Sequence, residues 1–455
     1  MRSGARHPAA APAGAAPSRL GARVSSLGVT VAGALVGALS GGFLVVAVTL
    51  VLKAGIDFSG RQHVAFVLTV PLLGLTLATL VLYGLGTTRP AAGGKVNPWR
   101  TFPATAVRAD IKSDVVECAG REERFPWRLA PIRALAILAT VGTGAAMGTE
   151  APAAYLGVAV GDAVCDRGGR WRRLIRPAAL AGGAAGVGAL MGIALVGTAF
   201  MLELGWRRRA PLSGERLLAA LIGGVVGWQI TAFFHLHLIF LVVPHEPPTD
   251  LAHAAITAVC IGLASGLVSG LAALAFHRAK KWKARPVVRL AVGGTLTLVA
   301  AGLLVRLSSA AAAVGPGGGA ITWAETVAAG PGTLMGVCLL RALATAAAVA
   351  AGGCGGVFVP FLAIGDLAGR VVAPAVGVGN DVAGAAGAAG GIAGGYHLPV
   401  TAVAMALGVG GPPRSILTSI ATICVAGAAG ALIGKVAGRI QGARRARAAA
   451  RAGQL

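Results

Sequence analysis

The stretch Met147 to Gly161, MGTEAPAAYLGVAVG, sets one carboxylate, Glu150, between an apolar run ending at Met147 and another beginning at Ala151, with no other acid within ten residues on either side. Such an acid costs free energy to bury, so in an apolar chain it is a candidate functional group. A second stretch, Gly355 to Gly369, GGVFVPFLAIGDLAG, has the same skeleton without the acid: Pro152 is followed by Gly157 and Gly161, and Pro360 by Gly365 and Gly369. Two apolar segments interrupted by Gly and Pro in corresponding halves of a membrane chain point to a transport site built where helices break. Helix starts offer unpaired N–H groups and a positive dipole end, which suits an anion, and Glu150 adds a carboxylate that can titrate there. Its plainer role, capping a helix, is compatible with both.

The elements that position these residues must form a membrane scaffold. Of 455 residues 56% are apolar and 12% charged, and mean hydropathy is +0.77, whereas soluble domains carry about 25% charge. The length leaves room for many spans of about 20 residues, and 70 glycines allow the close helix approach that packing in lipid requires. The net charge of +24 sits mainly between apolar runs, in Arg2–Arg23, Arg89–Arg128, Arg167–Arg176, Arg207–Arg209, Lys280–Arg289 and Arg444–Arg451. That is the positive-inside pattern of a multi-pass protein of the cell inner (plasma) membrane with both termini cytoplasmic. It is not a nucleic-acid footprint; lipid headgroups are the expected basic-face contacts. Cysteines 118, 165, 260, 338, 354 and 424 have no ligand spacing, and His235 and His237 point to different helix faces, so no metal and no cofactor are expected. Isolated acids without clustered His or Asp argue against a membrane enzyme.

Residues 1–23, with four Arg and no acid, read as a disordered basic cytoplasmic arm. Val24–Leu52 predicts a first span flanked by Lys53, and Val64–Leu85 a second; Thr87–Arg128 is the longest polar connection. Leu129–Met147 leads to the Glu150 break, and Ala151–Val164 is too short to cross at about 1.5 Å per residue, so it reads as a tilted or re-entrant half-helix. Pro177–Glu203, Leu217–Val243, Ala254–Phe276, Leu290–Leu307, Gly332–Ala351, Val357–Ala375, Val382–Gly395, Val400–Gly410 and Ile416–Ile433 complete the apolar set. The membrane domain is thus 24–433, in halves of roughly 24–250 and 251–433, followed by a basic cytoplasmic tail, 434–455.

Gly355-Gly356-Val357-Phe358-Val359-Pro360, followed by Ile364-Gly365, resembles the GxFxP signature of the CLC family of chloride channels and chloride/proton antiporters. Leu340-Arg341-Ala342-Leu343-Ala344-Thr345 through Gly352-Gly353, and the turn Gly315-Pro316-Gly317-Gly318-Gly319, are similar to that family's approach to the signature. Gly148-Thr149-Glu150-Ala151-Pro152 is similar to its G(K/R)EGP motif, Phe200-Met201-Leu202-Glu203 to the end of a helix in its first half, and His397-Leu398-Pro399-Val400-Thr401 to its (R)APLT stretch. In order, these cover most of residues 24–433.

The resemblance implies an all-α integral membrane fold: CLC-type inverted repeats with broken and re-entrant helices, in a prokaryotic member without CBS domains, assembled as a homodimer in the lipid bilayer. Chloride or another small anion would be held by Gly148, Thr149, Ala151, Gly355, Gly356, Val357, Phe358 and Pro360, with the N–H groups of Val357 and Phe358 and those near Ala151 as donors. Glu150 would be the gating glutamate, opening when protonated or displaced. Passive chloride conduction is the implied function; anion/proton antiport, for chloride or fluoride, and a non-conducting structural homologue are the alternatives.

Three departures bear on the inner side of such a pore. Ala109, in Arg108-Ala109-Asp110-Ile111-Lys112, stands where the family's GSGIP places an anion-binding Ser. Tyr83, Tyr155 and Tyr396 are the only tyrosines, so the family's pore-lining Tyr near the C-terminus has no match. Leu204 follows Glu203 where family transporters place an internal proton Glu; this resembles the channel branch, although some exchangers also lack that Glu. Glu203 itself reads as a helix-end acid pairing with a neighbour or, with the register slipped by one, as the proton-path acid. Asp162 and Asp366 are expected at helix starts or in packing, Glu325 in a loop or short helix near an interface, and Arg341 snorkelling or paired.

Overall fold

The computed structural model describes residues 19–86, 115, 125, 127–166, 173–207, 210–236, 251–408, 421–437 and 439. Ala109, most of Thr87–Arg128, the stretch from His237 to Asp250 and most of both basic terminal segments lie outside the described residues.

The described elements are α1 (Arg19–Gly60), α2 (Val64–Gly86), a 3-10 turn (Trp127–Leu129), α3 (Ala130–Val141), α4 (Glu150–Cys165), α5 (Ile175–Met191), α6 (Ala194–Trp206) and α7 (Gly214–Phe233) in the first half. The second half contains α8 (Leu251–Lys281), α9 (Pro286–Leu307), α10 (Ala310–Ala313), α11 (Gly318–Thr326), α12 (Pro331–Ala351), α13 (Phe358–Val376), α14 (Asn380–Gly391), a π turn (Ile392–Tyr396), α15 (Pro399–Gly408) and α16 (Ala421–Ala437). Among the described residues, seven helices are long and apolar enough to cross a bilayer, while α5, α6 and α16 are shorter apolar helices. In lipid each backbone group must find its partner within the protein, which is why helices carry the chain across. Large side chains such as Phe43, Leu73, Leu80 and Leu267 are exposed on the outside, and the interior is rich in Ala and Gly.

Two expected boundaries differ. The apolar run Pro177–Glu203 is two helices, α5 and α6, because Gly192 adopts a left-handed conformation (φ 67°) that ends α5. The first span continues past Lys53 to Gly60, and Lys53 lies 3.9 Å from Asp57 one turn on; an i,i+4 pair lets both charges remain in the helix.

The Pro–Gly–Gly echo becomes packing. Gly157 and Gly161 of α4 lie against the backbone carbonyl groups of Gly182 and Ala178 on α5; Gly365 and Gly369 of α13 lie against those of Gly387 and Ala383 on α14. In each half the broken helix is clamped to the next helix at two points one turn apart, where no side chain fits. α5 also packs on α1 and α7, and α13 on α8 and α12, so each clamp is the centre of its half.

Buried charges tie the second half together. Arg370 bonds Asp366 at 2.8 Å and lies 3.4 Å from both Glu325 and Asp381, linking α13, α11 and α14. Arg341 does not snorkel, and among the described residues it meets no acid: it is 1% exposed and donates to the carbonyls of Ala312 and Ala313, each at 3.3 Å, and of Gly315 at 2.6 Å. It thereby fastens the end of α10 to the Gly-rich turn, where Gly315 (φ 68°) and Gly317 (φ 126°) take conformations that other residues resist. Being on a helix in the protein interior, Arg341 cannot reach water, so backbone carbonyls take over the solvation that snorkelling would supply.

Gly161→Leu must force α4 away from α5, since an added Cβ would lie 2.8 Å from the Ala178 carbonyl carbon, whereas Gly330, which meets nothing within 4 Å, has room. We expect Gly161→Leu to lose about 1–3 kcal/mol of stability or more and Gly330→Leu to behave as wild type, measured by monodispersity and apparent melting temperature in detergent. Equal behaviour of the two variants would refute the clamp.

Candidate anion site

Two chain breaks meet at the site. After α3 the chain turns at Gly144 and re-enters at Gly148 to begin α4; after α12 it turns at Gly352 (φ 99°) and re-enters at Gly356 to begin α13. The re-entering segments run antiparallel: Gly148 N–H donates to Gly356 O at 2.8 Å, and Gly356 N–H to Gly148 O at 2.7 Å. This reciprocal pair satisfies backbone that would otherwise be stranded inside the protein, and it brings the starts of α4 and α13 together. A side chain at either position would crowd the carboxylate where it sits: a Cβ on Gly148 would lie 2.7 Å, and one on Gly356 2.9 Å, from the Glu150 carboxyl carbon.

The helix starts are matched in detail. In α13 the first two helical residues are Phe358 and Val359; the third, Pro360, has no N–H, and Phe361 N–H already bonds Val357 O at 3.1 Å. Two helical N–H groups are therefore left to bind a ligand. In α4 the same arithmetic applies, with Glu150 and Ala151 first, Pro152 third, and Ala153 N–H bonded to Thr149 O at 2.8 Å. The matched prolines thus sit where each helix sheds one donor and stays compact.

Glu150 is fully buried and reaches across to α13: its Oε1 accepts from Phe358 N–H at 2.6 Å and Val359 N–H at 3.1 Å. Bonds to an ionised acceptor are roughly twice as strong as neutral ones, and two helix dipoles favour negative charge at this point. Oε2 is buried without a hydrogen-bond partner. The donor pair is shifted by one residue from the expected Val357 and Phe358. Val357 is the cap residue (φ −127°, ψ 8°), so the first helical N–H groups belong to Phe358 and Val359. The structure therefore gathers Gly148, Thr149, Glu150, Ala151, Gly355, Gly356, Val357, Phe358 and Pro360 at one point, and adds Val359.

The Phe358 ring leads away from the cradle into an aromatic cluster, edge-on to Phe200 (6.0 Å between centroids) and Tyr396 (5.3 Å). Tyr396 also meets Phe361, which stacks with Phe276. A tyrosine thus does approach the cradle, supplied by the π turn rather than by the C-terminal region; the run Gly394-Gly395-Tyr396 just before Leu398-Pro399 was the available signal.

Three residues after Phe200 on α6, Glu203 accepts from Val400 N–H (3.2 Å), Thr401 N–H (2.9 Å) and Thr401 Oγ1 (2.8 Å). These donors belong to the start of α15, so Glu203 caps a helix, while nearby Arg207 donates to the Tyr396 carbonyl at 3.1 Å. Leu204 is fully buried.

On another side of the cradle lies a chamber of about 570 Å³ that reaches Thr149 and Val359. Its charged lining residues are Lys53, Asp57 and Arg61, and its apolar wall includes Ile56, Leu190, Val314 and Trp323. Nothing in the sequence joined α1 to the Glu150 site; the chamber arises from how α1, α5, α11 and the Gly-rich turn meet.

Residues 99–431 match the sequence profile of the family described as voltage gated chloride channel. Among solved structures, the chain is similar to a CLC-type fluoride/proton antiporter (TM-score 0.70, 20% identity, covering 90% of this chain and 96% of that one). It is similar to a slow cyanobacterial Cl−/H+ antiporter (TM-score 0.70, 17% identity, covering 90% and 94%) and to a eukaryotic CLC transporter (TM-score 0.61, 14% identity, covering 91% and 72%). No curated protein matches. The profile match over most of the chain, on a fold whose paired helix breaks converge at Glu150, places this multi-pass membrane protein in the CLC family of voltage-gated chloride channels.

Proposed function

We propose that the chain conducts small anions, chloride foremost, along a path past the starts of α4 and α13, and that Glu150 is the gate. The observation that supports this reading is the Glu150 carboxylate bonded to both free helical N–H groups of α13. A carboxylate in that position competes with an anion for the same donors. Neutral amide donors at a helix start can bind a halide without trapping it as a full cation would. Protonation, for which Oε2 is the oxygen without a hydrogen bond, turns an ionic acceptor into a neutral one and weakens its hold. The chamber floored by Thr149 and Val359 supplies access from one side. By the charge pattern, the basic segments around Arg176, Arg207 and Arg278–Arg285 face the cytoplasm and the chamber faces outward. We extend the proposal to a homodimer in the plasma membrane, each chain with its own pathway.

Conduction is passive in this reading. Leu204 offers no proton acceptor, Glu203 is engaged by three donors, and the rings of Phe200 and Tyr396 pack edge-on against Phe358. The second reading is anion/proton antiport. It is favoured by a buried acid, Glu203, three residues after Phe200 on α6, whose ring meets Phe358, and by likeness to two structures described as proton-coupled antiporters.

In liposomes, wild-type chloride flux should rise as pH falls, because protonation releases the gate, and Glu150→Gln should be fast at all pH values. A Glu150→Gln protein that keeps the wild-type pH profile would remove Glu150 from gating. A chloride gradient should drive no uphill proton movement; proton uptake against its gradient, lost in Glu203→Gln, would replace conduction with antiport.

A further inference from the structure

α8 and α9 are each long and apolar enough to cross the bilayer, and only residues 282–285 join them. Helices with so short a connection are expected to be packed neighbours. Here both pack on α12 rather than on each other. α12 meets α9 where Gly293 lies against Ala347 and Ala351. It turns Cys338 toward the carbonyl of Ile364 on α13, the helix on which α8 also packs. Between these two contacts a strip of α12 with Leu339 and Leu343 is exposed. The result is an apolar crevice open to the hydrocarbon, walled by α8 and α9 and floored by α12.

At one end of the crevice, the last turn of α8 and the connection carry Arg278, Lys281, Lys283 and Arg285, all exposed, and no acid occurs in the sequence between Asp250 and Glu325. Half-buried Trp282 sits among them, a residue type suited to the membrane–water boundary. Arg289 is engaged differently: it is buried and donates to the carbonyls of Val349 and Ala350, fixing the start of α9 to the end of α12. The other four cations exceed what orientation in the membrane requires, and they stand where an apolar crevice meets the headgroup layer. A soluble polyanion would leave the crevice unused, a neutral lipid would leave the cations unmatched, and a lipid with one phosphate would answer only part of their charge.

We propose that the crevice binds one phospholipid whose headgroup carries two phosphates, of the diphosphatidylglycerol type. Its phosphates lie against Arg278, Lys281, Lys283 and Arg285, and its acyl chains run along Leu339 and Leu343. Basic pockets between membrane helices suit such headgroups. The lipid packs on the helix that leads through Gly352 to Gly356 and the start of α13, so it steadies the segment that carries half of the cradle. The binding is independent of how Glu150 works.

The test titrates the full-length protein in detergent with diphosphatidylglycerol, phosphatidylglycerol or phosphatidylcholine and counts bound lipid per chain by native mass spectrometry. Diphosphatidylglycerol should saturate at one per chain, bind about tenfold more tightly than phosphatidylglycerol, equivalent to about 1.4 kcal/mol, and raise the apparent melting temperature. Lys281→Gln with Lys283→Gln should weaken it about tenfold. Lys435→Gln with Arg439→Gln, which removes the same charge from exposed positions elsewhere, should leave it unchanged. Leu339→Trp, which fills the crevice from an exposed position and keeps every charge, should also weaken it. Equal binding of the two anionic lipids, equal loss in the two double variants, or full binding in both Leu339→Trp and the Lys281/Lys283 variant overturns the site. Displacement of the lipid by inorganic pyrophosphate would make the ligand a soluble phosphate and overturn the lipid assignment.

Discussion

Everything in this structure depends on two helix starts facing each other inside a low-dielectric interior. The N–H groups of Phe358 and Val359 have no backbone partner, and buried donors left unmade are costly. The cradle must therefore always hold something negative or polar, and here that is the carboxylate of Glu150. The same constraint works on the acid: a buried carboxylate is tolerated only where hydrogen bonds and dipoles compensate it. The carboxylate of Glu150 and the two helix N–H groups therefore stabilise each other.

The scaffold serves that contact. The reciprocal hydrogen bonds between Gly148 and Gly356 fix the distance between the helix starts, and the glycine clamps on α5 and α14 fix the direction in which each helix leaves. Arg341 secures the Gly-rich turn beside the chamber through backbone carbonyls, while Arg370 gathers three acids on α11, α13 and α14. Irregular backbone at membrane depth is stable where protein covers it, and the two helical halves provide that cover. The CLC-type fold is in this sense a means of burying two broken helices whose broken ends remain chemically active.

Much of this was legible in the chain. Pro152 and Pro360, each followed by paired glycines, marked both breaks, because a missing N–H at the third helical position and bare backbone at the packing face leave a direct trace in residue type. Glu150 was legible because an isolated acid in an apolar run is too costly to bury unless the fold supplies donors for it. The exact donors were not, since a one-residue shift of the helix cap moved the pair from Val357 and Phe358 to Phe358 and Val359. The break at Gly192 was hidden in an unbroken apolar run, where one left-handed glycine among many leaves no pattern. The role of Glu203 stayed open because its partners, Val400 and Thr401, lie almost two hundred residues away.

The sequence by itself determined the membrane class, the helical content, the two breaks and the acid between them, since these follow from hydropathy, local backbone chemistry and charge, which act over a few residues. Only the tertiary structure decided which atoms meet: that Glu150 bonds the opposite helix, that Tyr396 rather than a C-terminal tyrosine backs Phe358, and that α1 brings Lys53 and Arg61 to a chamber that reaches Thr149 and Val359. Those contacts join residues far apart in the chain. Their geometry is set by how helices cross and pack, and residue type at either end does not encode it.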